Sequence, residues 1–258
     1  MTQKTTPNTF YLTLPCYNEG ERLAQFLPSL CTAILKSELS VRVQIVDDGS
    51  DFLNQGHYRS LMELLEKPFP FLLPPLTLEE NQGKGAAVYS AWRSNHSADF
   101  LAFADADGAV GPEEVLRVFR LVNADPEAAH TVYTASRIHT EETEVHRRII
   151  RNLGGHTFRW LRKRLFSFPI EDTQCGFKVI PAPFFHGNED RLTEPGFAFD
   201  IELLYRAQQA GLNFREVPVN WEDKKGGHMN ILSSAGLFKD LLRLKGRLDK
   251  EEMESSSL

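Results

Sequence analysis

The chain has 258 residues, of which 41% are hydrophobic, and it carries a formal net charge of −6 at pH 7. That size and hydrophobic content suffice to bury the core of one large α/β domain, and the acidic balance argues against nucleic acid as a partner. The three cysteines, Cys16, Cys31 and Cys175, have no metal-binding spacing and cannot all pair. We therefore expect them to be small core residues in a reducing compartment.

The sequence predicts one main domain with short flanking segments. We expect a flexible stretch at residues 1–9, the domain at 10–235, an amphipathic helix at 236–248 and a disordered tail at 249–258. The start of the chain lacks the apolar segment of a signal peptide, and no stretch reaches the roughly 18 apolar residues of a spanning helix. We therefore expect a cytoplasmic protein, either free or peripherally attached to a membrane.

The first two predicted strands both end at turn or acidic residues. Residues 10–14 form an apolar strand that stops at Pro15. Residues 41–46 form a second strand that runs into Asp47 and Asp48. An acid in this position of a dinucleotide-binding fold accepts a hydrogen bond from a ribose hydroxyl, and a base N–H can donate to it in the same way. The alternative is that these acids only cap the next helix.

A lysine between two glycines opens a later helix. Gly83 and Gly85 allow the backbone and the ammonium group of Lys84 to approach an anion closely, and small residues follow. The amino end of a helix favours phosphate. The Walker pattern GxxxxGK[ST] is absent, so the segment predicts a diphosphate contact of a different kind.

Two carboxylates follow the most apolar strand of the chain. Residues 100–104 form a continuous apolar run that ends in Asp105 and Asp107, with Gly108 as a turn signal. In an open α/β sheet this edge is where ligands bind, and two neighbouring anions favour a cation between them. Carboxylates completed by substrate phosphate oxygens suit Mg²⁺ or Mn²⁺. The alternative is an acidic turn that only caps the next helix.

A basic, aromatic-rich segment interrupts the otherwise acidic chain after a further strand at residues 131–135. Such a segment suits an anionic bilayer surface or a lipid phosphate, whereas the alternative is a solvated basic face over an apolar stripe. Its basic residues are Arg147, Arg148, Arg151, Arg159, Arg162, Lys163 and Arg164, and its apolar residues include Leu153, Phe158, Trp160, Phe166 and Phe168.

The last third of the domain contains several polar candidates. Asp172 precedes a strand that ends near residue 180, and Asp200 and Glu202 lie near the start of a helix that stops at Gly211. These two helical acids either contact substrate or only interact with the helix dipole. Residues 216–221 form a proline-containing edge strand, and His228 lies in a loop beside two lysines, where it can close over a phosphate-bearing ligand or its metal.

Six motifs in this order resemble family 2 glycosyltransferases over residues 10 to 245. The resemblance is greatest to the branch of dolichyl-phosphate β-glucosyltransferases and polyprenyl-phosphate glycosyltransferases. It implies a GT-A fold, an α/β architecture in which helices flank a Rossmann-like, mixed but mainly parallel sheet. The motifs are Leu14-Pro-Cys-Tyr-Asn-Glu19, Val46-Asp-Asp-Gly-Ser-Asp51, Asn81-Gln-Gly-Lys-Gly-Ala86, Asp105-Ala-Asp-Gly-Ala109, Asp172-Thr-Gln-Cys-Gly-Phe-Lys178 and Val217-Pro-Val-Asn-Trp221.

The resemblance also implies site residues for a nucleotide-sugar donor, a divalent metal and a polyprenyl phosphate acceptor. It assigns Lys84 to the diphosphate, and Asp105 with Asp107 to the donor and the metal. The nucleoside would be held by Pro15, Tyr17, Glu19 and Asp47 or Asp48. The acceptor phosphate would meet Arg137, Arg147, Arg148 and Arg151.

These features lead to the hypothesis of inverting glucosyl transfer from UDP-glucose to a polyprenyl phosphate at the cytosolic membrane face. Glucose is favoured over mannose because Ala109 stands where the mannosyl branch often has Gln. Asp107, Asp172 and Arg137 are the candidate catalytic residues. If the acceptor is a phosphate, Asp172 orients the sugar or the acceptor, and if the acceptor is a saccharide hydroxyl, Asp172 is the general base. Two alternatives therefore remain, a soluble saccharide transferase and a non-enzymatic receiver-like module that binds Mg²⁺.

Overall fold

The computed structural model describes residues 7–140, 143, 145–146, 161–224 and 231–255, and helices alternate with strands along most of these ranges. The strands are β1 (Thr9–Cys16), β2 (Ser40–Asp47), β3 (Leu76–Thr77), β4 (Phe100–Ala104), β5 (Thr131–Ser136), β6 (Val145–His146), β7 (Phe177–Pro181), β8 (Asn213–Pro218) and β9 (Trp221–Glu222). The helices are α1 (Gly20–Lys36), α2 (Phe52–Leu65), α3 (Lys84–Arg93), α4 (Pro112–Ala124), α5 (Ala182–His186), α6 (Phe199–Gln209) and α7 (Ile231–Ser255).

Seven strands form one mixed sheet in the order β3-β2-β1-β4-β7-β5-β8. The strands β3, β2, β1 and β4 are mutually parallel, and β8 is parallel to β5. Only β7 runs antiparallel to its neighbours β4 and β5 within this sheet. The proline-containing strand β8 lies at the sheet edge, as predicted, where a missing N–H is tolerated. The predicted bounds of 216–221 were wrong, because β8 spans Asn213–Pro218 and Trp221 begins the separate strand β9.

Helices cover both faces of the sheet because the strands alternate their side chains between two apolar layers. Phe10, Leu12 and Leu14 of β1 point into a core shared with α1, α2 and α4, whereas Tyr11 points into a core shared with α3 and α6. Strand β4 is buried on both faces, which explains its uninterrupted apolar sequence.

The carboxyl-terminal helix is longer than the sequence predicted. Helix α7 runs from Ile231 to Ser255, whereas the prediction was a helix at 236–248 and a disordered tail from 249. The charged last turns are held by the domain itself, because Arg206 pairs with Glu251, and the Tyr205 hydroxyl and the Gln209 amide both bond Glu252. Local composition alone could not reveal these tertiary partners.

The second sheet brings a late segment back to the Asp105–Ala109 turn. Strand β9 pairs in parallel with β6, and Trp221 also forms an antiparallel bridge with Val110. The backbone N–H of Glu222 donates to the carbonyl of Ala109 at 3.1 Å. Residues more than a hundred positions apart therefore line the same edge of the molecule. In the described part of the chain, no helix has the length and apolarity needed to cross a membrane.

Candidate active site

The candidate site lies where β2, β1 and β4 end side by side. Cys16 and Asp47 are partners in the β1–β2 register, and Asp105 follows the last residue of β4. We call this region, with the loops at residues 17–20, 48–51 and 105–111, the acidic edge. Parallel strands present their carboxyl ends to one side of the sheet, so the sequence correctly predicted that these acids share an edge.

Lys84 and Asp105 form an ion pair at this edge. The Nζ of Lys84 lies 2.5 Å from Oδ1 of Asp105, and the lysine side chain is 15% exposed. Its ammonium group lies over the rings of Phe103 and Phe199. Burial alone would lower the pKa of Lys84, but the charges of Asp105 and then Asp200 outweigh it and raise that pKa above its ordinary value. Lys84 is therefore a cation at the amino end of α3, where a diphosphate is favoured.

Gly176 makes room for the Asp105 carboxylate. The N–H of Asp105 donates to the carbonyl of Gly176 at 2.8 Å. A Cβ atom at Gly176 would lie 1.9 Å from Oδ2 of Asp105, a separation that real Cβ atoms do not show. The absence of a side chain at Gly176 therefore permits the observed position of the Asp105 carboxylate, which a methyl group would displace. The sequence showed the glycine but not its neighbour.

A second cluster joins Asp107 to Glu19 through Arg22. Arg22 pairs with Glu19, and its Nη1 lies 3.9 Å from Oδ2 of Asp107. Burial raises the pKa of Asp107, and the charge of Asp105 adds to the effect. Burial also raises the pKa of Glu19 to about 7, with Asp107 and Asp105 adding to it and Arg22 opposing it. Accumulated negative charge at low solvent exposure makes a cation favourable here.

The donor set fits a hard divalent cation. Asp105 and Asp107 supply carboxylate oxygens, and the buried Oε2 of Glu19 has no hydrogen-bond partner among the described residues. These three carboxylates do not converge on one point. Among the described residues, the only group of three or more ligand side chains with mutually close donor atoms is His96, His186 and Glu189, in the segments around the amino end of β4. A metal held by Asp105 and Asp107 would therefore need oxygens from a bound phosphate-bearing substrate to complete its coordination.

Asp47 and Asp48 are buried and organise the loops of the acidic edge. Oδ1 of Asp47 accepts from the N–H of Ser50 at 2.9 Å. The two oxygens of Asp48 accept from the N–H groups of Gln82 at 2.8 Å and Gly83 at 2.9 Å. Asp48 thus holds the loop that leads into Lys84. The alternative that Asp47 and Asp48 cap the next helix is wrong, because the cap of α2 is Asp51, whose side chain accepts from the N–H of Asn54.

Tyr17 presents a ring to solvent beside these acids. The loop after β1 turns at Asn18, whose φ is 55°, and the N–H of Asn18 donates to Oγ of Ser50 at 2.9 Å. The N–H of Asp51 donates back to Oδ1 of Asn18 at 2.9 Å. The loop is therefore tied down, while Tyr17 remains 42% exposed and free to stack on a planar group. Pro15, where the first strand was expected to stop, lies within β1, which continues to Cys16.

Arg137 and Asp172 form a bidentate pair. Nε and Nη2 of Arg137 donate to the two carboxylate oxygens of Asp172 at 2.7 and 2.8 Å. Glu216 fixes the turn by accepting from the N–H groups of Glu171 and Asp172, and the guanidinium lies over the ring of Trp221. Burial alone would raise the pKa of Asp172, but the hydrogen bonds and charge of Arg137 outweigh it and hold that pKa well below its usual range. Such a carboxylate is a weak base.

Four predicted site residues lie outside the described residues: Arg147, Arg148, Arg151 and His228. Their roles remain predictions. Lys224, the last described residue before His228, pairs with Glu222 at 2.5 Å.

Sequence reasoning missed Arg22 and a buried ion pair. Lys178 is 0% exposed, and its Nζ lies 2.5 Å from Oδ1 of Asp200. Asp200 was considered only for substrate or the helix dipole. A lysine inside the apolar strand β7 was the available signal, because a buried cation needs a partner. For Arg22 the signal was its spacing of three residues from Glu19 at the start of a helix.

Residues 12–182 match the family model described as glycosyl transferase family 2. The dolichyl-phosphate beta-glucosyltransferase of Dictyostelium discoideum is 28% identical over 242 residues, which cover 91% of this chain and 73% of the relative. The protein of the same name from Mus musculus is 30% identical over 243 residues, covering 91% and 74%.

A solved structure with a similar fold is glucosyl-3-phosphoglycerate synthase from Mycobacterium tuberculosis, in complex with Mn²⁺, UDP-glucose and phosphoglyceric acid. It superposes with a TM-score of 0.67 at 14% identity and covers 93% of this chain and 80% of that one. At this identity the likeness concerns the fold alone, and it confirms the predicted GT-A architecture.

Proposed function

This chain belongs to glycosyl transferase family 2 and is a glycosyltransferase, and from that premise we propose that it transfers glucose from UDP-glucose to a polyprenyl phosphate. The proposed reaction inverts the anomeric carbon, requires Mg²⁺ or Mn²⁺ and takes place at the cytosolic face of a membrane. Family membership also sets aside the receiver-like module considered from the sequence.

The observation that carries the donor assignment is the meeting of Lys84, Asp105 and Asp107 at one edge. Departure of a nucleoside diphosphate builds negative charge, which a preorganised cation stabilises. A divalent metal held by Asp105 and Asp107 supplies a Lewis acid for the same charge when it is bound. Lys84, at the amino end of α3, then holds the diphosphate, and Tyr17 with Glu19, Asp47 or Asp48 contacts the nucleoside.

The acceptor assignment draws on the relatives and on Arg137. Curated relatives that align with 91% of the chain are named dolichyl-phosphate beta-glucosyltransferases. A phosphate monoester oxygen is already an anion, so it needs alignment more than deprotonation. We assign this alignment to Arg137, oriented by Asp172, and to Arg147, Arg148 and Arg151.

The pairing of Arg137 with Asp172 argues against a saccharide hydroxyl as acceptor. That reaction requires a general base, and Asp172 is the candidate from the sequence. Because Arg137 lowers the pKa of Asp172 despite its burial, this carboxylate is poorly suited to take a proton. A lipid phosphate therefore fits this site better than a saccharide hydroxyl.

The test is incubation of the full chain with radiolabelled UDP-glucose, Mg²⁺ and undecaprenyl phosphate. We expect label in the organic phase, released by mild acid as glucose, and we expect EDTA or Asp107→Asn to abolish it. A matched control is Asp99→Asn, because Asp99 immediately precedes β4 at its opposite end. Label transferred only to added saccharides would reject the lipid acceptor. Absence of any transfer from UDP-glucose, with transfer from another nucleotide sugar, would reject the donor.

Membrane contact requires a separate test. The basic residues of α7 pair largely with acids of this chain, as Arg247 does with Glu202 and Lys245 with Asp249. Arg162 of the predicted basic segment is buried and donates to the carbonyl of Glu171, so we assign membrane contact to the other basic residues of the 147–164 segment. We expect the protein to float with vesicles that contain anionic lipid and not with neutral ones. Replacing Arg147, Arg148 and Arg151 together by Gln should abolish flotation, and unchanged flotation would reject this assignment.

A further inference from the structure

Helix α7 lies far along the chain from the Lys84 motif, but a short loop connects the two in space. Leu241, Leu244 and Leu248 of α7 are fully buried and pack on Ala198 and Ile201. This contact places Arg243 and Arg247 of α7 against the loop at residues 193–196, which residues 197 and 198 connect to α6.

Two buried acids receive the arginines of α7. Nη2 of Arg247 lies 2.6 Å from Oε1 of Glu202, whose side chain is 0% exposed, and Nη1 of Arg247 donates to Oγ1 of Thr193. Nη2 of Arg243 lies 3.3 Å from Oε1 of Glu194, which is 4% exposed. Buried carboxylates require such partners, so these contacts are built into the fold.

Glu202 connects Arg247 to the backbone of the 193–196 loop. Its second oxygen, Oε2, accepts from the N–H of Thr193 at 2.9 Å and from the N–H of Glu194 at 2.7 Å. One carboxylate therefore bonds α7 on one side and the loop backbone on the other. Loss of Arg247 would leave Glu202 buried without its cation.

The 193–196 loop in turn lies against the amino end of α3. The carbonyl of Pro195 accepts from the N–H of Ala86 at 3.0 Å. A Cβ atom at Gly83 would lie 2.5 Å from the Pro195 carbonyl oxygen, and one at Gly85 would lie 2.3 Å from the Glu194 carbonyl oxygen. Both glycines that flank Lys84 are thus required by the approach of this loop.

We infer that Arg247 is a positioning residue for the diphosphate site, acting through Glu202 and the 193–196 loop on the amino end of α3. The inference rests on the proposed function, because it assumes that Lys84, at the amino end of α3, holds the diphosphate of the donor. Helix α7 would then contribute to donor binding although none of its atoms contacts the donor. A small displacement of Lys84 lowers activity because the site works by holding its positive charge at a fixed position beside the diphosphate.

The test compares Arg247→Gln with Lys245→Gln. Lys245 is on the same helix but pairs with Asp249 within it, so its loss is a matched control. We expect Arg247→Gln to raise the Kd for UDP in the presence of Mg²⁺ about tenfold, to raise KM for UDP-glucose similarly and to change kcat less. Arg247→Lys, which keeps the charge, should recover part of the affinity, and Lys245→Gln should match wild type.

A second readout does not depend on the proposed function. Hydrogen exchange at the Ala86 amide reports its bond to Pro195 directly, and we expect faster exchange there in Arg247→Gln but not in Lys245→Gln. Failure of the wild-type protein to bind UDP would reject the proposed function. Hydrogen exchange at Ala86 would still test whether Arg247 holds the 193–196 loop against the amino end of α3. An Arg247→Gln protein that melts earlier but keeps wild-type UDP affinity and wild-type Ala86 exchange would overturn the inference.

A milder variant covers the case in which Arg247→Gln does not fold. Arg243 is 61% exposed and contacts only one oxygen of Glu194 in the loop. Arg243→Gln should therefore fold and weaken UDP binding about twofold, with a matching increase in exchange at Ala86. Wild-type values in both measurements would count against the inference.

Discussion

The ammonium group of Lys84 lies 2.5 Å from the carboxylate of Asp105, so the glycine-flanked motif and the Asp-Ala-Asp motif meet in one ion pair. The lysine is largely buried and its pKa is raised by Asp105 and Asp200 against the effect of burial. A diphosphate that enters this site meets a fixed positive charge, and a metal that binds Asp105 must share that carboxylate with Lys84.

Removal of the Lys84 charge should therefore impair catalysis more than folding. We expect Lys84→Met to lower kcat/KM for UDP-glucose by about 10²–10³-fold, because a preorganised charge on the leaving diphosphate is lost. Steady-state kinetics checks this, with Lys36→Met at the exposed end of α1 as the control. A Lys84→Met enzyme within a few-fold of wild type would show that the diphosphate lies elsewhere.

Gly176 should be intolerant of a methyl group. Because the added Cβ would lie 1.9 Å from Oδ2 of Asp105, Gly176→Ala must rotate that carboxylate away. We expect an activity loss of at least about tenfold while the protein still folds. Gly56→Ala is the matched control, since nothing lies within 4 Å of its Cβ position, and it should stabilise α2 by about 0.5–1 kcal/mol. Equal activity in the two variants would contradict the account of Asp105.

Glu19 should make stability depend on pH near neutrality. Its pKa is raised from 4.5 to about 7 in the folded protein, so burial favours the protonated carboxyl. The contribution of Glu19 to the free energy of unfolding is therefore complete below pH 4.5 and is lost as pH rises through about 7. In EDTA, Glu19→Gln should gain up to about 3 kcal/mol of unfolding free energy relative to wild type between pH 5 and 8. Urea titrations at several pH values measure this. A difference that does not vary with pH would mean that Glu19 does not titrate in this range.

The longer strands of the main sheet and the acids at their ends could be predicted because they depend on local patterns, whereas the two-residue strands β3 and β6 were not predicted. The apolar run before Asp105 predicts a buried strand, and parallel strands bring their carboxyl ends together. What the sequence did not reveal are contacts between distant positions. Asp48 bonds the N–H groups of residues 82 and 83, and Arg137 pairs with Asp172, 35 positions away. No local periodicity encodes such partners.

The Arg137–Asp172 pair predicts an opposite pH dependence of stability. The pKa of Asp172 is lowered in the folded state because Arg137 outweighs the effect of burial. Its contribution should be complete above its ordinary value of about 4 and should be lost as pH falls further. Asp172→Asn should lower the free energy of unfolding by about 3 kcal/mol at pH 7. In acid, the unfolding free energies of the variant and of wild type should become more similar.

The same variant separates the two roles of Asp172. If Asp172 only orients Arg137 and the acceptor, Asp172→Asn should raise KM for undecaprenyl phosphate more than it lowers kcat. A fall in kcat of about 10³-fold with unchanged KM would instead identify Asp172 as a general base.

The buried pair of Lys178 and Asp200 should couple stability to the position of Lys84. Both ammonium groups lie over the ring of Phe103, at 5.0 Å for Lys84 and 5.3 Å for Lys178, and both charges act on Asp200. Lys178→Met leaves Asp200 buried with Lys84 as its nearest remaining cation. We expect a loss of about 3–5 kcal/mol in unfolding free energy and weaker UDP binding, because Lys84 shifts from Asp105 toward Asp200. The double variant Lys178→Met/Asp200→Leu removes both charges and should recover most of the stability, since no buried charge is left unpaired. Urea unfolding and calorimetric titration with UDP measure the two effects, and strictly additive losses in the double variant would contradict the coupling.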